Sequence, residues 1–159
     1  MAVVIDILLL IILLICVVTD VKSRKIYNTV IYPGIILAFV FHAVNSGWDG
    51  FLHSFLGFLI GLGLLFIPYL MGGMGAGDVK LLALVGALKG GAFVFQTFIY
   101  MALVGAVMAL AIILMRRGIL FSLLYKFSSK ESLSATYPYG VAIAGGAVIS
   151  LFTEGVLFL

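Results

Sequence analysis

Two carboxylates stand out in a chain that otherwise avoids charge. Asp78 lies in Gly72-Gly73-Met74-Gly75-Ala76-Gly77-Asp78-Val79-Lys80, a break holding four glycines between long apolar runs. Asp20 closes the first apolar run and is followed by Val21-Lys22-Ser23-Arg24-Lys25. Two aspartates brought face to face cannot both ionise easily, so such a pair holds one shared proton near neutral pH. Its ionised member can take a proton from water, while its protonated member polarises a carbonyl and then protonates a leaving amine. That is acid–base hydrolysis of a peptide bond, without a nucleophilic side chain, a metal or a cofactor. Cys16 is the single cysteine, and no Cys/His spacing suits a metal ion. Glycines beside a carboxylate also let a substrate backbone approach closely. The competing roles are structural: Asp78 is a natural N-cap for the helix after it, and Asp20 is an ordinary loop acid. The helix dipole favours ionisation at Asp78, at a helix start, and disfavours it at Asp20, at a helix end.

What positions these residues is a membrane protein. The 159 residues are 65% hydrophobic and only 9% charged, against roughly 25% charged in a soluble domain. The length fits one domain, 1–159, with no stretch left over for a soluble one. The net charge of +3 comes from short basic clusters between apolar runs. That pattern reports orientation in a membrane and excludes a nucleic-acid surface. The expected fold class is all-α and polytopic, with spans over 2–19, 27–44, 51–71, 79–88, 92–115 and 137–158. The first is expected as a retained span, since no basic residue precedes it. Asn45-Ser46-Gly47-Trp48-Asp49-Gly50 reads as a turn, and 118–127 is short enough to lie in the interface.

The segment 79–88 is short for a crossing, and basic residues decide its reading. If it crosses, Lys22, Arg24, Lys25, Lys80, Arg116, Arg117, Lys126 and Lys130 share one face and only Lys89 is opposite, eight against one. If it turns back, the split is five against four. The positive-inside rule favours crossing. The expectation is therefore six transmembrane helices with a short fourth one, both termini on the non-cytoplasmic side, and Asp20 and Asp78 together at the cytoplasmic face. Asp6, Asp49 and Glu154 fall near the other face, as do His42 and His53, which are expected to be non-functional. Gly57-x-x-x-Gly61 and Gly86-x-x-x-Gly90 read as close helix packing. Tyr137-Pro138-Tyr139-Gly140 opens the last span on the side of the two aspartates.

Gly75-Ala76-Gly77-Asp78 resembles the GxGD motif of membrane aspartyl proteases, and its extension to Leu82 is similar to the prepilin peptidase branch. Asp20 to Asn28 resembles that branch's first-aspartate loop, with Tyr27 where the family has proline, and Pro138-Tyr139-Gly140 resembles the stretch that opens its last span. The resemblance covers essentially the whole chain. It implies a prepilin peptidase-like domain in the cytoplasmic (inner) membrane that removes the basic leader of type IV prepilins or pseudopilins at the cytoplasmic face. It implies Asp20 and Asp78 as the catalytic pair, with Gly75, Gly77, Lys80, Lys22, Arg24, Asn28, Pro138 and Tyr139 supporting the site or the substrate. Larger members carry a cysteine-rich insertion and methylate the new terminus. Its absence here resembles the small tight-adherence (Flp-type) members, with no cofactor. The expected partners are a prepilin or pseudopilin with a single apolar helix, and membrane lipid. Archaeal preflagellin peptidases are close relatives, and a small proton-coupled transporter is the rival from another class, because intramembrane carboxylates also mark ion pathways.

Overall fold

A computed structural model describes residues 2–23, 25–123 and 139–157, with side chains over 3–23, 25–110 and 139–154. Every described element is helical: α1 (Ala2–Ser23), α2 (Asn28–Leu70), α3 (Ala76–Lys89), α4 (Gly91–Leu123) and α5 (Tyr139–Leu157). Three segments are long and apolar enough to cross a membrane: Val3–Ser23, Asn28–Leu70 and Gly91–Leu110. Tyr139–Glu154 is a shorter apolar one. Large apolar side chains such as Leu14, Ile36 and Val107 cover the outside of the bundle, as a lipid-facing surface requires.

Five helices stand where six spans are expected, because 27–44 and 51–71 fall in the two arms of α2. The backbone leaves helical geometry at Ser46 and Gly47, and Gly47 takes φ 61°, ψ −139°, a conformation open to glycine and strained for other residues. Phe39 packs on Phe58 with ring centroids 5.8 Å apart. Nineteen residues of straight helix would hold them about 28 Å apart, so the arms lie side by side. The expected turn at 45–50 is where the chain folds back.

At the centre lies α3. Leu81, Leu82, Ala83, Leu84, Val85 and Ala87 are fully buried, so over residues 81–88 this helix has no solvent or lipid face, while Ala76 in its first turn is exposed. It rests mainly against α2, and the contact depends on glycine. A Cβ on Gly57 would strike the Gly86 carbonyl, a Cβ on Gly86 would strike that of Gly57, and one on Gly61 would lie 2.6 Å from the Leu82 oxygen. The expected close packing is therefore present, with backbones meeting where side chains would normally intervene. Two boundaries differ from expectation. α3 starts at Ala76, three residues before the predicted start, and ends at Gly90 with φ 88°. α4 continues through Arg116 and Arg117 to Leu123, since arginine is a good helix former and a charge alone does not end a helix.

Candidate active site

Asp20 sits in the last turn of α1 and is 7% exposed. Its Oδ2 accepts a hydrogen bond from the Gly140 backbone N–H at 3.0 Å. Gly140 is the second residue of α5, so this amide is one of the helix-start donors that lack an intrahelical acceptor. A Cβ on Gly140 would lie 2.6 Å from the same Oδ2. The carboxylate thus occupies the space that any other residue would fill.

Asp78 is 9% exposed. It is not the N-cap that the sequence suggests. Because α3 starts earlier, Gly75 is the N-cap and Asp78 the third helical residue, with its Oδ2 reaching back to the Gly75 N–H at 3.2 Å. This is the acidic half of a capping box. Both aspartates therefore hold a backbone N–H at a helix start, and neither makes an ion pair among the described residues.

The two carboxylates line one cavity of about 330 Å³, together with Lys25, Ile26, Tyr27, Asn28, Gly75 and Gly77. Each carboxylate is oriented by one backbone N–H, and two acids lining one cavity cannot both ionise easily. The pair is suited to sharing a proton, and its titration belongs to both members.

The supporting residues divide. Gly75, Gly77 and Asn28 line the cavity, and a Cβ on Gly77 would press on the Ile26 side chain at 3.0 Å. Lys80 stands outside it. Its Nζ donates to Asn28 Oδ1 at 3.0 Å and to the Tyr32 hydroxyl at 3.1 Å, and lies 5.2 Å from the Tyr32 ring centre. Lys80 thus holds a cavity residue in place. Lys22 is exposed at the end of α1 and does not line the cavity. Tyr139 lines a different, mostly apolar cavity of about 430 Å³ with Met101, Gly105, Met108 and Ala142. Arg24 and Pro138 lie outside the described residues.

Gly140, Lys25, Ile26, Tyr27 and Tyr32 are not among the residues that the sequence singles out for the site, although all but Tyr32 fall in the stretches that carry the resemblance. Gly140 had a signal: a glycine just inside a helix start offers an amide without a Cβ, the local feature that receives an anion. The partner of that amide, 120 residues away, has no local signature.

Residues 7–110 match the family model described as the type IV leader peptidase family. No curated protein and no solved structure matches the chain.

Proposed function

Since the chain belongs to the type IV leader peptidase family, we propose that it is an aspartic endopeptidase that removes the basic leader of type IV prepilins or pseudopilins of the tight-adherence (Flp) type. The observation that carries this is the pair Asp20 and Asp78: both buried, both lining one cavity, and neither joined to a cation among the described residues. Buried charged groups are usually paired, whereas each of these carboxylates has a backbone N–H and no cation among the described residues. A pair left to share a proton is set up for acid–base chemistry.

In the proposed reaction the substrate carbonyl enters beside Gly75 and Gly77. One carboxylate takes a proton from water as its oxygen attacks the carbonyl carbon. The other, protonated, hydrogen-bonds the carbonyl oxygen. Collapse of the tetrahedral species breaks the C–N bond, and the amine leaves with a proton from the pair. Asp20 is oriented by the Gly140 N–H and Asp78 by the Gly75 N–H, and the working proton belongs to the pair. The apolar cavity at Tyr139 gives the substrate's helix a place beside the spans, and no metal or cofactor takes part.

The same reading carries the topology. The arms of α2 count as two spans and α3 as a short one, which gives six crossings. The termini lie on the non-cytoplasmic side, and the cavity opens to the cytoplasm from the inner membrane. The test is co-expression of an Flp-type prepilin with the wild-type chain, Asp20→Asn or Asp78→Asn. Wild type should shorten the prepilin and each variant should fail at equal membrane level. Wild-type cleavage by either variant removes the dyad. Aspartate-dependent proton flux in proteoliposomes without cleavage would replace the peptidase with a transporter.

A further inference from the structure

Lys89, Asp6 and Glu154 form a second ionic cluster at the other end of α3. The Lys89 ammonium lies 2.9 Å from Asp6 Oδ1 and 3.0 Å from Glu154 Oε2, and its side chain is 14% exposed. It also stands 5.0 Å from the centre of the Phe93 ring, which is buried. The sequence separations are 83 residues to Asp6 and 65 to Glu154, so the cluster is wholly tertiary.

Its three helices are the ones that build the candidate active site. α1 carries Asp6 near its start and Asp20 near its end. α3 carries Asp78 near its start and Lys89 at its end. α5 carries Gly140 at its start and Glu154 near its end. Direct packing between them is uneven: α1 meets α3 sparsely, whereas α3 lies mainly on α2. A single cation therefore ties the far ends of the three elements whose near ends must place two carboxylates and one amide.

We infer that Lys89 is a positioning residue for the dyad, acting with Asp6 and Glu154 as a clamp that fixes how α1, α3 and α5 sit relative to one another. The inference rests on the dyad reading above. Charge alone suits the cluster for this role: a lysine at a helix C-terminus is favoured by the dipole, and a shielded ammonium holds its anions closely because little water competes. If the clamp opens, the pair stays intact chemically but its geometry loosens, so kcat suffers while the substrate's helix still binds.

The test uses the full chain in detergent with an Flp-type prepilin. The triple variant Lys89→Met, Asp6→Asn, Glu154→Gln removes the clamp without leaving an unpaired buried charge. A misplacement of about 1 Å can cost about 100-fold in rate, so kcat should fall by roughly 10- to 100-fold with KM nearly unchanged. Lys89→Arg keeps the cation and should retain most of kcat. Separately, Cys16→Ala, Asp20→Cys, Asp78→Cys proteins with and without the clamp are treated with bifunctional thiol reagents of graded length. Loss of the clamp should shift cross-linking from the shortest reagent to longer ones. Wild-type kcat in the triple variant, or an unchanged cross-linking pattern, overturns the inference. Asp6→Asn and Glu154→Gln, each retaining one ion pair, should lower kcat part-way and shift the cross-link in the same direction. Wild-type values in both overturn the inference if the triple variant fails to reach the membrane. Because cross-linking needs no activity, a clamp-dependent pattern in a chain that cleaves no prepilin sustains the clamp and refutes only the peptidase reading.

Discussion

The two ends of α3 treat carboxylates in opposite ways. At its C-terminal end Asp6 and Glu154 converge on Lys89, and charge is matched by charge. At its N-terminal end Asp20 and Asp78 converge on a cavity, each with a backbone amide on its Oδ2 atom and neither ion-paired among the described residues. An ammonium would hold both acids ionised and leave no proton to transfer. Neutral N–H donors orient a carboxylate yet leave room for a proton on the pair. On the two proposals above, the contrast separates an ionic cluster that organises helices from a pair of acids that does chemistry.

That contrast breaks most sharply under neutralisation of single acids. Asp20→Asn or Asp78→Asn should lower kcat/KM by about 100- to 10,000-fold, the range for losing an acid–base group, whereas Asp6→Asn, with Glu154 still on Lys89, should cost less than about tenfold, a small part of what misplacement can cost. Prepilin cleavage rates at matched membrane levels decide it. Equal losses at both ends would erase the distinction.

Gly140→Ala probes the amide end alone. Its new Cβ, 2.6 Å from Asp20 Oδ2, has to displace the carboxylate, and by the same geometric sensitivity the fall in kcat should be about 100-fold. Gly145→Ala, five residues on in the same helix, meets only Val104 methyls at 3.5 Å and 3.8 Å and should stay near wild type in the same assay.

The shared proton gives a pH dependence with two limbs. The one-proton pair exists only between the two titrations of the dyad, so kcat/KM should fall at low pH, where the base is lost, and at high pH, where the acid is lost. A flat profile, with intact protein throughout, would remove the shared proton from the reaction. The smallest expected effect is at Lys80. Lys80→Met frees Asn28 from its hydrogen bond, and at about 1 kcal/mol per bond KM should rise roughly fivefold while kcat holds.

The sequence was most legible where chemistry is local. The aspartate after four glycines, the aspartate closing the first apolar run and the turn around Gly47 are all read from neighbouring residues. α3 was harder. Over 81–88 it is buried on every side, so it has no polar face there and no periodicity to mark its ends, and its start at Ala76 lies three residues before the apolar run that predicts it. The Lys89 cluster was half legible: counting charges put Lys89, Asp6 and Glu154 at one end of the bundle, but only packing brings them within 3.0 Å. Gly140 is legible as part of the stretch that opens the last span but not as a donor, because its acceptor is set by the approach of α1 to α5.

The brevity of α3 also decides where water is. Fourteen residues rise about 21 Å, against a hydrocarbon layer about 30 Å thick. A lone helix this short would have to thin the bilayer around it. Other helices, not lipid, surround α3, so the mismatch of about 9 Å is taken up inside the protein. On the proposed topology, with Lys89 at one end, the shortfall makes a well above Asp78 open toward the aqueous phase. On the proposed activity, hydrolytic water reaches the peptide bond through that well, without a channel across the bilayer.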